Sequence, residues 1–232
     1  ADNEGQDQLD QATLAKLEAK TLNDLGKVID LCEEALQKGL NEGNTNFAHQ
    51  LLTSTLTQRG TFYTKPVLDR SPPSPQWQQL RKLALADFQR AVDIDPGLGN
   101  AQMLIARLQV LPGGDRKLAM DAVTSAIEAF AQAEKKRDQS KALTLRGRME
   151  EDTEKRLADF TKAIELDELN TEPRRLRGII RVQNQEFEEG LADLTKVLEI
   201  DSEDVQAHQA AAEALTSMEK FDEALEHLNK SI

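Results

Sequence analysis

The sequence predicts an all-α protein, a right-handed superhelical solenoid of about six antiparallel helix hairpins. Three observations carry this expectation. The first is a period of 34 residues: Leu157-Ala158-Asp159-Phe160 returns as Leu191-Ala192-Asp193-Leu194 and again as Leu225-Glu226-His227-Leu228. Ile164-Glu165-Leu166-Asp167 likewise returns as Leu198-Glu199-Ile200-Asp201, and Phe187 as Phe221. A fixed period of this size marks stacked supersecondary units, each unable to bury its apolar face without a neighbour. The second is apolar residues at helical spacing inside each unit, in two runs parted by a short polar turn. The third is composition: 30% charged residues and only 4% aromatic suit amphipathic helices packed through Ala and Leu.

The units follow in chain order. Residues of about 6–40 form the first hairpin, with Leu9, Leu14 and Leu17 striping one helix and Leu25, Ile29 and Leu36 the next. The second spans about 45–95. Its first helix, roughly 45–63, carries Leu51-Leu52, Leu56 and Phe62-Tyr63, and its second starts near Trp77. Between them an insertion, 65–76, holds four prolines that keep it extended and out of helix. It reads as a rigid loop whose Trp77 packs on the helix 77–94, as a lid or hook at a groove edge, or as a PxxP docking peptide. The third hairpin spans about 98–135, turning at Leu111-Pro112-Gly113-Gly114, and the fourth about 138–167, with a turn some three residues short. The fifth, about 171–201, is the clearest. Pro173 stands in its first turn, where a missing N–H costs nothing, and Leu176, Ile179, Ile180 and Val182 follow at helical spacing. Asp201-Ser202-Glu203-Asp204 then caps the sixth, about 205–232. Ile232 falls where its predecessors continue with Glu-Leu-Asp or Glu-Ile-Asp, and Ala1 is not an initiator Met, so a fragment of a longer, processed or trimmed chain is expected.

This pattern resembles the tetratricopeptide repeat family, in a multi-repeat array of the bacterial type. That family places small residues at positions 8 and 20 of each unit, an aromatic at 24 and a small residue at 27. Here position 8 is Gly60, Ala106, Gly147, Gly178 and Ala212, and position 20 is Ala84, Ala119, Gly190 and Ala224. Position 27 is Ala91, Ala126, Ala163, Val197 and Ser231, and Phe88 and Phe160 take position 24. Arg156 departs from the pattern at a small-residue position, and only Asp95-Pro96 keeps the family's terminal Pro.

The resemblance implies that the first helix of each hairpin lines a concave groove through positions 2, 5, 9 and 12. These are Asn100, Met103, Arg107 and Val110 in the third unit, and Lys141, Thr144, Arg148 and Glu151 in the fourth. The fifth gives Glu172, Arg175, Ile179 and Val182, and the sixth Gln206, Gln209, Glu213 and Thr216. Arg107, Lys141, Arg148, Arg175 and Gln209 are the candidate peptide-binding residues. Guanidinium forks suit carboxylates, so a basic strip would take an acidic peptide. The other reading is that these are solvated charges paired with nearby Glu and Asp. The Lys/Asn/Asn/Lys/Arg set with which some relatives hold a C-terminal carboxylate is absent. Arg59, Arg146 and Arg177 precede the position-8 Gly each time and read as repeat grammar.

Charge and motifs narrow the functions. A net charge of −12 argues against nucleic acid. Residues 186–232 hold 3 basic against 13 acidic side chains, whereas 137–185 hold 11 and 10. No apolar run is long enough to insert in a membrane. Cys32 is the only cysteine, on the apolar side of a helix, which reads as a packed thiol. His49, His208 and His227 stand on three helices without ligand spacing, and neither a catalytic triad nor a phosphate loop is visible. No cofactor or metal is expected, and the compartment stays open between cytoplasmic and extracytoplasmic. The leading function is a non-catalytic protein-interaction scaffold that holds a peptide or partner protein in the groove, as a monomer or weak homodimer through the terminal hairpin. The alternatives are a structural self-association domain, or a recruiting domain of an enzyme whose catalytic part lies beyond residue 232.

Overall fold

The computed structural model describes residues 3–69 and 75–231. Twelve α-helices and no strand are found among these residues. The chain divides into two compact units, Ala1–Ala129 and Phe130–Ile232.

The first unit holds α1 (Gln6–Glu18), α2 (Leu22–Lys38), α3 (Glu42–Leu68), α4 (Trp77–Ile94) and α5 (Gly99–Val110), and α6 (Arg116–Gln132) begins in it. Thr21 and Asp24 start α2 reciprocally, each side chain binding the other's backbone N–H. Gly39, at φ 95°, ends that helix in a conformation that a Cβ would disfavour. Successive helices pair α1 with α2, α2 with α3, α3 with α4 and α4 with α5, while α3 also touches α1 and α5. The first helices of the hairpins therefore form a row. Ala12, Val28, Ile29, Cys32, Leu52, Leu56 and Ala91 close one core, and Leu9, Ala35, Leu40 and Ala48 a second.

The second unit holds α7 (Lys136–Met149), α8 (Thr153–Leu166), α9 (Thr171–Gln183), α10 (Phe187–Ile200), α11 (Val205–Ser217) and α12 (Phe221–Lys230). Here too α9 contacts α11 as well as α10. Val182, Leu194, Val197, Ala207, Ala210, Ala211 and Ala214 form its core, with Ile179, Phe187, Leu191 and Leu198 packed around it.

Small residues sit where pairs of helices meet. A Cβ on Gly60 would lie 2.8 Å from the Phe88 ring, and one on Gly147 2.6 Å from the Phe160 ring. Both rings are fully buried. One on Gly190 would lie 2.7 Å from Val182 Cγ2. Gly178, Ala84, Ala212 and Ala224 are buried as well. The hairpins close on rings and branched chains only because these positions carry little or nothing.

The insertion differs from expectation. α3 runs to Leu68 with Pro66 inside it, so residues 65–68 are helical rather than extended. Pro66 stands in the last turn, where it forfeits one backbone hydrogen bond, while buried Val67 holds the turn against the core. Ser71, Pro72, Pro73 and Ser74, and with them the PxxP segment, lie outside the described residues. Glu134, Gln185 and Glu219 each adopt a left-handed backbone conformation, at φ 54°, 66° and 61°. The last two, 34 residues apart, make the α9–α10 and α11–α12 turns.

Candidate functional site

Each arginine that precedes a position-8 glycine has a structural partner. Arg59 grips Asp87 through two hydrogen bonds of 2.8 and 2.7 Å, Arg146 grips Asp159 at 2.8 and 2.6 Å, and Arg177 grips Asp193 at 2.8 and 2.7 Å. The aspartate always precedes the residue that packs on the glycine: Phe88, Phe160 or Leu194. One helix pair thus meets through a steric contact and a bidentate ion pair side by side. The Asp87 carboxylate raises the Arg59 pKa above its ordinary value, chiefly through the hydrogen bond. In the sixth hairpin Ala211 and His227 replace this pair, and His227 instead meets His208, Nδ1 to Nδ1, at 2.8 Å. His208 Nε2 lies 3.0 Å from the Ser202 carbonyl, which only accepts. Neutral His208 therefore accepts at Nδ1 from His227. Sequence reading kept these two histidines apart; the hairpin brings them together.

The expected groove residues of the second unit are largely engaged with the chain itself. Arg148 Nη1 lies 3.0 Å from Glu172 Oε1, tying α7 to α9. Arg175 pairs with Asp204, whose other oxygen caps α11 at the Ala207 N–H, 2.9 Å away. Lys141 stands loosely beside Asp138, at 4.0 Å. Two of the arginines therefore link successive first helices. Thr144 and Val182, placed in the groove by the resemblance, are buried: Thr144 donates to the Ser140 carbonyl at 2.8 Å, and Val182 packs in the core. Gln206, Gln209, Glu213 and Thr216 are exposed on α11. Arg107, in the first unit on α5, is exposed.

The first unit contains a feature that sequence reading missed. A depression of about 360 Å³ is lined by Ser54, Thr57, Gln58, Thr61, Phe62 and Lys65, all on α3. Counting from Gly60 as position 8, Ser54, Thr57 and Thr61 are positions 2, 5 and 9, so the rule that gave the other groove residues would have found them. Phe62 is 42% exposed, with Lys65 Nζ 5.6 Å from its ring centre. The Thr57 hydroxyl is buried without a partner. On the neighbouring α5, Asn100 and Val110 are exposed and Met103 half-buried. No group of three or more His, Cys, Asp or Glu side chains is placed to hold a metal among the described residues. No helix among them is long and apolar enough to cross a membrane.

No protein-family model matches the sequence, and no curated protein matches it either. Solved structures do. A crystal structure of MamA aligns with a TM-score of 0.57 at 13% identity, covering 66% of this chain and 88% of that one. A second MamA structure aligns at 0.55 and 15% identity over 74% and 89%. YrrB, described as a TPR protein with an unusual peptide-binding site, aligns at 0.57 and 20% identity over 77% and 84%. At such identities the likeness speaks to architecture alone, and that architecture is a tetratricopeptide-repeat array.

Proposed function

We propose that this chain is a non-catalytic protein-interaction scaffold that holds an extended peptide against the row of first helices in its first unit. The observation that carries this reading is the α3 depression, where the exposed Phe62 ring sits together with the exposed polar side chains of Ser54, Gln58 and Lys65. Peptide main chains need hydrogen-bond partners and an apolar anchor, and this surface offers both. That YrrB carries a peptide-binding site on the same architecture agrees with it.

The test is selection of ligands from a random-peptide phage library on the intact chain. Thr57→Arg combined with Met103→Arg should abolish binding of the selected peptides while leaving circular dichroism unchanged. Peptides that bind this variant as well as the parent would overturn the reading.

A second reading, self-association through α12, draws on Phe221, Leu225 and Leu228, which are 63%, 58% and 45% exposed along one helix. Asp222, Glu223 and Glu226 flank that stripe, so two copies would bring like charges together. Sedimentation equilibrium of the parent and of Leu225→Lys separates monomer from dimer.

A further inference from the structure

Arg81 differs from the partly buried arginines of the repeats. Arg59, Arg146 and Arg177 each face an aspartate, whereas Arg81, 8% exposed on α4, donates only to neutral oxygens. Its Nη1 reaches the Pro112 carbonyl at 3.1 Å and its Nη2 the Gln109 Oε1 at 2.9 Å, while Nε is buried without a partner. A guanidinium held out of water with no carboxylate beside it is an uncompensated charge. Burial alone pulls its pKa below the ordinary value.

The α5–α6 turn fixes that guanidinium in place. A Cβ on Gly114 would lie 1.9 Å from the Gln109 carbonyl oxygen and 2.7 Å from Arg81 Nη2. The glycine thus lets the turn close directly on the charge.

A cavity of about 490 Å³ opens beside Arg81, with Lys82, Gln78 and Gln79 around it and Leu85, Pro75 and Pro112 as apolar wall. Among the described residues no acidic side chain lines it. The first turn of α4 borders it, and no side chain caps that helix. The positive end of an 18-residue helix, a buried guanidinium and a lysine therefore meet in one concavity of a chain whose net charge is −12.

We infer that this cavity is a carboxylate-binding pocket that receives an acidic side chain or the terminal carboxylate of a partner peptide. The inference rests on the peptide-scaffold reading above. Arg81 and Lys82 supply the charge, the Trp77 and Gln78 N–H groups at the start of α4 supply further donors, and the apolar wall accepts the methylenes next to the carboxylate. The volume exceeds that of a bare ion and suits a side chain with part of its backbone.

The test follows backbone amides by proton–nitrogen correlation spectra of the whole chain. The probes are N-acetylglutamic acid α-amide, N-acetylglycine, the neutral N-acetylglutamine amide, and inorganic phosphate. The two carboxylates should shift the amides of Gln78, Gln79 and Gly113; whichever binds tighter identifies a side-chain or a terminal carboxylate. The neutral amide should shift none of them. Lys82→Glu, at an exposed position, should weaken carboxylate binding roughly tenfold, and Arg81→Gln should remove it. Equal shifts with the neutral amide, binding of phosphate alone, or full affinity in Lys82→Glu would each overturn the pocket. Peptide binding that survives such a result, yet is lost in the α3–α5 variant, would leave the scaffold reading standing.

Discussion

Replacing Asp193 with Ala should be among the most damaging single changes in the second unit. The Asp193 side chain is 6% exposed and accepts two hydrogen bonds from Arg177 and one, of 2.8 Å, from Arg181. Truncation leaves two guanidinium groups facing each other without their shared counter-charge. Arg177 keeps only Thr161 Oγ1, at 3.0 Å. Removing one partner of a fully buried pair costs about 3–5 kcal/mol. Arg177 is 13% and Arg181 27% exposed, so some hydration returns and the expectation drops to roughly 2–4 kcal/mol. Asp193→Asn, which keeps one acceptor oxygen, should cost about half as much. The assay is urea unfolding followed by far-UV circular dichroism, with Glu199→Ala as the reference. Glu199 lies on the same helix and pairs with Lys196, but both side chains are more than half exposed, so its loss should cost under about 1 kcal/mol. Adding Arg177→Met to Asp193→Ala should restore part of the stability, because the orphaned charge goes with it. If Asp193→Ala and Glu199→Ala destabilise equally, the buried fork does not hold this hairpin together and the repeated Arg–Asp pairing is incidental.

Three further outcomes test the fold. Gly178→Leu would push a Cβ to 3.0 Å from Leu194 Cγ and 3.1 Å from the Gly190 carbonyl oxygen, so thermal unfolding should shift by the equivalent of about 1–3 kcal/mol; an unchanged melting temperature refutes the contact. Gln185→Gly should stabilise by about 0.5–1 kcal/mol, since φ 66° strains any residue with a Cβ, and a loss in urea unfolding would contradict this. The His227 pKa is lowered first by burial and then by His208, so the folded state favours the neutral ring. That contribution is complete above the unfolded value of about 6.5 and is lost as pH falls below it. Urea midpoints measured down to pH 5 should fall, and His227→Gln should flatten the profile; an unaltered slope in the variant sinks the assignment.

Much of the architecture was legible because its determinants are local. A 34-residue period, helical apolar spacing and small residues at fixed offsets are properties of neighbouring residues, and Gly60, Gly147 and Gly178 meet bulky partners in the structure as that grammar required. The α3 face was legible too, by counting from Gly60. Pro66 misled because proline's cost is small in a last turn that buries Val67, and burial is not written in the dipeptide.

What the sequence could not decide was which charges are free. Arg148, Arg175 and Arg81 look alike in one dimension. Residues 24 to 31 positions away give the first a surface glutamate, the second a buried aspartate and the third only a carbonyl and an amide. Spacing along a helix fixes the face a side chain occupies. Only the stacking of hairpins brings a second chain segment to that face, and the partner it delivers determines whether a charge links two helices or stays available to a ligand.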